Sequence, residues 1–600
     1  MAAIVLIGAC WFAAWPYMGL CHDSRLYALE AFARLSPGIF DRDLFLAYGS
    51  QGGFTLFPSL FGGMIKWLGL ESAAFSLALA GKLFWFAALV YLARQLMPAP
   101  IWFFACLPAL AFPAFYDSHE VFSYGESFAT PRIFAEAFTM LALAAWARGR
   151  HIMAAGLVFA AGAMHPLMAL PGGVLLALLA WAEFGRKRLA WLALGGLAVL
   201  AATVAVYPDL GSRLISSYDP AWYDAVRSRN PFVFLDTWDL AAFDRMAWLG
   251  VVLALVATEG AGPQRRFALA ALLTACGLLA LSWLGAVVWK NILLTQLQLW
   301  RALWLAQIVA LLLSAPLLLR LWKTDYASRI LASCLVAAYA LGPNWMVLIT
   351  LAGVGLRMLL RRFESAIDTS APLWRGLPYM ITLPVLFMHL MEMPQRATFD
   401  ELLTGRSSWR MVLADRLVLV LIGVAAYWGA SQMGKHARYF VLALSGAACV
   451  VAASSWQPIG VAEDLPEVQA MFVQMKQDIP PGAVVQSTVG GGSGALWFVL
   501  ERAGYISQWQ TAGALFNREN ALEGVRRLIL LGQAGFPDAN VKWHEKALGA
   551  QVPLTSDSVR ILCSDEVLDY VVMGGSWAHA QHRYQSGSRK LSLFACEAFR

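Results

Sequence analysis

Residues 2–20 read AAIVLIGACWFAAWPYMGL and carry no charge; residues 21–27 continue as CHDSRLY. A helix of about 20 apolar residues crosses the hydrocarbon of a bilayer. The stretch therefore predicts a transmembrane helix that emerges at His22-Asp23, and this reading decides the fold class. A carboxylate at that boundary is costly to desolvate, so Asp23 is a candidate functional group by position alone. The segment has neither a basic leader nor a small-residue cleavage pattern, so the helix is expected to be retained.

Composition agrees. The chain has 600 residues, 59% hydrophobic and 14% charged, against roughly 25% charged in a soluble domain. The fold class expected is an all-α polytopic membrane domain. The net charge of +7 is accounted for largely by short basic loops, so no nucleic-acid partner is implied. The partners implied directly are membrane lipids. The 25 Trp and 34 Phe suit interfacial belts and helix packing, and some Trp suit stacking on sugar rings. The eight cysteines show no CxxC or Cys/His metal spacing. Five lie in apolar runs (Cys10, Cys106, Cys276, Cys334 and Cys449), whereas Cys563 and Cys596 fall in the polar tail and could form a disulfide if that tail is extracytoplasmic.

Outward from the first helix, apolar runs recur at 73–93, 99–116, 130–147, 152–167, 168–184, 189–207, 246–258, 267–289, 302–319, 328–342, 344–360, 376–393, 412–430 and 437–455. With the first helix this makes about 15 spans by length and composition. One set of connections is short and basic: Arg94; Arg148 and Arg150; Arg186, Lys187 and Arg188; Arg265 and Arg266; Arg320, Lys323 and Arg329; Arg357, Arg361 and Arg362; Lys435 and Arg438. These are expected in the cytoplasm. The other set, 21–72, 117–129, 208–245, 290–301 and 394–411, is longer and richer in aromatics. Parity holds only if 54–70 lies along the membrane as an interfacial helix and does not cross it. The N-terminus is then cytoplasmic and residues 457–600 lie outside; the Ala/Leu-rich composition suggests a bacterial inner membrane, with the tail periplasmic or extracellular.

That tail reads as a small α/β domain. It contains a helix over 468–479, a strand-like AVVQST at 483–488, a glycine-rich turn at 490–494 and a helix over 520–531. VRILC (559–563), DYVVMG (569–574) and LSLFAC (591–596) also read as strands. The glycine-rich turn lacks the Lys-Ser/Thr of a phosphate loop. The boundary between the two domains falls at 456/457.

The outer side collects the polar candidates: His22, Asp23, Asp41, Asp43, Glu126, Arg132, Glu136, His165, Arg245, Lys290 and Arg301. Each also has a plain structural reading. Asp23 suits the N-cap of a helix over 24–35. Asp41-Arg42-Asp43 suits a solvated turn. Arg132 and Glu136, one turn apart, suit an ion pair. His165 suits a helix end, and Lys290 and Arg301 suit snorkelling. Their joint placement on one side carries the functional reading.

Two stretches carry a resemblance. FTLFPSLFGGMIKWLGLESAAFSLALAGKLFWFAALVYLARQLM (54–97) is similar to the interfacial-helix and second-span region of the GT-C class of integral-membrane glycosyltransferases. GESFATPRIFAEAFTMLALAAWARGRHIMAAGLVFAAGAMHPLMALPG (125–172) is similar to its fourth-to-sixth-span region. The resemblance covers most of residues 1–210 and is architectural beyond, with a retained first helix, an acid directly after it and an outer C-terminal domain. It implies transfer of a sugar from a polyprenyl-phosphate donor to a glycan, lipid or protein acceptor at the outer face, with inversion, as part of cell-envelope polysaccharide biosynthesis. Asp23 matches the general base of the first loop, and Asp43 is the second choice. Arg132, Arg245, Lys290 and Arg301 are the candidates to meet the phosphate, with His165 as a donor. No acceptor-binding signature of oligosaccharyltransferases is present. No cofactor is required by this reading; Asp41 and Asp43 have the oxygens for a divalent cation, but metal ligation is not the reading preferred. The competing readings are a transporter or flippase of lipid-linked saccharides, a glycan polymerase or ligase, and a non-catalytic glycan-binding relative.

Overall fold

The computed structural model describes all residues except 1, 50, 207, 364–371, 405–407, 433, 460–465, 490–492 and 537–553. The three glycines 490–492 of the predicted glycine-rich turn thus lie outside the described residues. The remainder is a helical membrane domain followed by a mixed-sheet domain. Six described helices are long and apolar enough to cross a bilayer: Leu70–Leu96, Pro166–Gly185, Leu240–Glu259, Gly262–Val288, Ile292–Thr324 and His436–Ser455. Ala2–Ala14, Ile101–Ala111, His151–Met164, Tyr326–Leu341 and Arg416–Ser431 are shorter apolar helices.

The first helix, Ala2–Ala14, is buried on nearly every side, as a helix hydrophobic all round must be. Trp11 stacks on Trp85 at 5.2 Å, and Trp85 stacks on Tyr124 at 5.6 Å. Small residues let the neighbouring helices close up. A Cβ at Gly81 would sit 2.6 Å from Ile133, and one at Gly172 would sit 2.4 Å from Thr139. These two glycines bring their helices against opposite parts of Pro131–Ala147, the helix that carries Arg132 and Glu136.

The predicted first outer loop folds as helix Ser24–Leu35, a short turn at Leu44–Ala47, and helix Phe57–Leu68. Phe57–Leu68 has 12 residues, about 18 Å at 1.5 Å per residue, too short to span. It packs on Ser24–Leu35 through Tyr27 and Phe57, whose rings lie 5.4 Å apart. Gly69 joins it to Leu70–Leu96 at φ +77°, a left-handed backbone that glycine adopts without strain.

The C-terminal domain is built on a five-stranded sheet, β1 (Val484–Ser487), β2 (Ala503–Gly504), β3 (Tyr570–Gly574), β4 (His582–Ser586) and β5 (Arg589–Ala595). The order is β2-β1-β3-β5-β4. β1 runs parallel to β2 and β3; β5 runs antiparallel to β3 and β4. The helices Pro466–Met475 and Arg518–Gln533 match two predicted elements. VRILC is not a strand. Residues Ser556–Cys563 form a helix, because Val559, Leu562 and Cys563 are buried at three- and four-residue spacing and Ser558 Oγ accepts from Thr555 N–H at the start. Cys563 and Cys596 are joined in a disulfide.

The predicted outer loops meet this domain. Tyr218 OH and Gln296 Nε2 donate to the Leu515 carbonyl, and Trp222 Nε1 donates to that of Ala514. Elsewhere two basic connections are tied together: Gln264 Nε2 donates to Leu96 O, and Arg361 pairs with Asp325.

Candidate active site

A cavity of about 520 Å³ lies where the membrane helices, the outer loops and the C-terminal domain meet. His22, Asp23, Arg132, His165 and Arg301 line it, with Phe122, Arg229, Asn230, Gln298, Gln508 and Trp509.

Asp23 stands directly before helix Ser24–Leu35, but its side chain caps nothing. Its Oδ2 accepts from Arg132 Nη1 at 2.5 Å, and its Oδ1 lies 3.2 Å from His22 Nδ1. Burial opposes the charge on Asp23; His22 and Arg132 outweigh it and hold the carboxyl well below the usual carboxylate range. His22 has φ +47°, a left-handed conformation costing on the order of 1–3 kcal/mol in a residue with a Cβ. Such strain concentrates at functional sites.

Arg132 does not pair with Glu136. Its side chain turns to Glu126, giving Nε to both carboxylate oxygens at 3.1 and 3.0 Å and Nη2 to Oε1 at 2.8 Å. Glu136 instead accepts from Trp85 Nε1 at 2.7 Å and from Gly125 N–H at 3.0 Å. It thus holds the 125–127 loop from one side, while Lys82 Nζ donates to Gly125 O and Ser127 Oγ from the other. Gly125 has φ +61° and leaves only 3.2 Å for a Cβ against Trp11, so this loop demands glycine.

Arg301 is the contrasting cation. It is 4% exposed. Nε and Nη2 hold Gln298 Oε1 at 3.1 and 2.9 Å, and Nη1 reaches Tyr116 OH at 3.4 Å. Among the described residues no carboxylate pairs with it. Its guanidinium lies 4.0 Å from the ring centre of Phe122, and Arg132 lies 5.0 Å from the same ring. Asp117 fixes that ring by accepting from the N–H of His119, Val121 and Phe122 at 2.7, 3.2 and 2.7 Å. His165 Nδ1 accepts from Met168 N–H at 3.3 Å, so its proton sits on Nε2 and the imidazole is neutral.

Six of the predicted residues lie elsewhere or behind the wall. Asp43 is wholly buried between the domains. Its Oδ2 accepts from Trp497 Nε1, Gly504 N–H and Gln510 Nε2 at 2.7, 2.8 and 3.2 Å, and its Oδ1 caps Leu44–Ala47 through Phe45 N–H at 3.0 Å. It is neither a solvated turn residue nor a partner of Asp41, which is exposed. Arg245 braces the Asp117 carbonyl, and Lys290 is exposed, with Nζ 4.4 Å from the Tyr223 ring centre. Glu136 supports the loop described above. Glu126 sits behind Arg132 and touches the site through it.

Sequence reasoning missed Lys82, Phe122, Arg229, Asn230, Gln298, Gln508 and Trp509. Lys82 had a signal, a charge within the apolar run 73–93. The others had none that a single sequence displays.

No family model matches the chain, and no curated protein matches it. Over 98% of its length, and 96% of the other chain, it is similar to a solved structure described as ArnT from Cupriavidus metallidurans in the apo state, with 14% sequence identity and a TM-score of 0.40.

Proposed function

We propose that the protein is an inverting glycosyltransferase that moves a sugar from a polyprenyl-phosphate donor to an acceptor hydroxyl at the outer face of a bacterial inner membrane. One observation carries the reading: the cavity holds an ionised carboxylate and, across Phe122, an arginine with no described carboxylate partner. The two arginines divide the work. Glu126 already neutralises Arg132, so Arg132 orients Asp23. Arg301 has its charge uncommitted and is suited to the phosphate.

The acceptor oxygen attacks the anomeric carbon while its proton passes to Asp23. The bond from that carbon to the phosphate oxygen breaks, and its electron pair leaves with polyprenyl phosphate. Arg301 and His165 Nε2–H stabilise the charge that develops there. Attack and departure on opposite sides invert the configuration. The donor's lipid reaches the cavity from the bilayer, which fits a topology of about 15 spans, a cytoplasmic N-terminus and an outer C-terminal domain.

The test is sugar transfer from a radiolabelled polyprenyl-phosphate donor in membranes carrying wild type, Asp23→Asn or Arg301→Ala at equal expression. The expected result is transfer by wild type, with loss in Asp23→Asn while donor binding persists, and weakened donor binding in Arg301→Ala. Wild-type rates in both variants, or a wild type that consumes no donor, would overturn the proposal and favour a carrier of lipid-linked saccharides.

A further inference from the structure

The C-terminal domain closes one wall of the cavity with Gln508, Trp509 and Ala512. From this wall we infer a neutral saccharide-binding subsite, formed by the Trp509 indole with the amides of Asn230 and Gln508, that receives a pyranose of the acceptor. The inference rests on the glycosyl-transfer reading and adds to it the chemical class of the acceptor.

Three observations carry it. First, Trp509 is half-buried and lines the cavity. The Arg25 guanidinium lies 5.2 Å from its ring centre, and His22 meets it edge-on at 6.1 Å. These contacts fix an indole that still lines the cavity, as a platform for the C–H face of a sugar ring requires. Second, Asn230 is 5% exposed and lines the cavity, yet its Nδ2 has no hydrogen-bond partner. A buried unpaired donor is costly, and such an exception calls for a ligand or a water. Third, the Gln508 side chain makes no hydrogen bond among the described residues, whereas its backbone carbonyl accepts from Arg229 Nη2 at 2.7 Å. Arg229 also holds Thr511 Oγ1 at 2.9 Å. The cation on this wall is therefore engaged in fixing the segment that carries Trp509, and the groups left over are neutral.

An aromatic ring with uncommitted amide donors and acceptors matches a polyhydroxylated neutral ring. A peptide acceptor would need a strand edge or an anchoring pocket, and an anionic acceptor would need an open cation on this side. The position fits the chemistry. His22 touches both Trp509 and Asp23, so a sugar lying on the indole presents its hydroxyls toward the base.

The experiment is saturation-transfer NMR on the purified full chain in nanodiscs. The probes are the methyl α- and β-pyranosides of glucose, galactose, mannose and N-acetylglucosamine. We expect at least one to bind wild type with a millimolar Kd. Trp509→Ala should weaken that glycoside at least tenfold, Trp509→Phe less than threefold, and Asn230→Ala three- to tenfold. Thermal unfolding of each variant shows that it is folded, and the Phe variant keeps the test valid if Ala disrupts the wall. Equal binding by wild type and Trp509→Ala, or no glycoside bound by wild type, overturns the subsite. Donor consumption is measured on the same preparation. A wild type that consumes donor but binds no glycoside loses the subsite alone. One that binds a glycoside through Trp509 but consumes no donor loses the transferase reading and keeps a saccharide site.

Discussion

Removing Asp43 should detach the C-terminal domain from the membrane domain without touching the chemistry. Asp43→Ala strands four donors: Phe45 N–H within its own loop, and Trp497 Nε1, Gly504 N–H and Gln510 Nε2 across the joint. A buried donor left unpaired costs about 1–3 kcal/mol. At about 1 kcal/mol each the variant loses roughly 4 kcal/mol, so the population with the joint open rises about 10³-fold. Asp43→Asn keeps one oxygen. With that oxygen turned to the three cross-domain donors, the amide faces only Phe45 N–H, which alone loses its acceptor, and the loss falls to about 1 kcal/mol. The assay is limited proteolysis of the purified chain, following release of the C-terminal fragment. When closing is faster than cleavage, its rate tracks the open population. The ordering expected is wild type slowest, Asn intermediate and Ala fastest, with Asn still competent in transfer. Wild-type resistance in Asp43→Ala would refute the joint. An Asn variant with wild-type resistance and no transfer would return Asp43 to the second-choice catalytic role that the resemblance implied.

Arg301→Ala should cost about 10²–10³ in kcat by loss of charge stabilisation, and Arg301→Lys should recover only part of it, since a point charge does not reproduce the planar fork; steady-state transfer rates decide. Asp23 is held low by His22 and Arg132 against burial, so the acidic limb of the transfer-rate profile should lie below about pH 4, and Arg132→Met should move it upward; a limb at the ordinary carboxylate value in wild type would contradict the ion pair. The stabilising contribution of that pair is present above the unfolded Asp value and is lost as pH falls through the depressed one, which thermal unfolding at stepped pH would register. Replacing Cys563 and Cys596 by Ser should cost the C-terminal domain about 2–4 kcal/mol, read as faster fragment release in the same proteolysis.

What was legible in the chain was whatever local pattern encodes. The charge-free run 2–20 breaks at His22-Asp23, and both residues line the cavity. The apolar run 130–147 and the helix read over 520–531 fall on Pro131–Ala147 and Arg518–Gln533. What was not legible depended on partners distant in sequence. Asp43 looked solvated because Trp497, Gly504 and Gln510 sit far down the chain. The four-residue spacing of Arg132 and Glu136 suggested an ion pair, but Glu126 and Asp23 won the arginine while Trp85 and Gly125 took Glu136. VRILC was misread because a short apolar run fits either period. Trp509 is one of 25 tryptophans, and nothing in its neighbours distinguishes it.

The wall built from Gln508 and Trp509 also sets a timetable for biogenesis. Asp23 leaves the ribosome early and Trp509 late, so during insertion the carboxylate and the arginines stand in an open half-chamber. The chamber closes only when the final segment has folded around its sheet and been clasped by Tyr218, Trp222 and Arg229. A chain stalled or truncated before that point displays Asp23 and the arginines of the membrane domain but lacks the wall of Gln508 and Trp509. Folding of the C-terminal segment is thus the event that completes the cavity, and any factor that delays that folding governs when the cavity comes into existence.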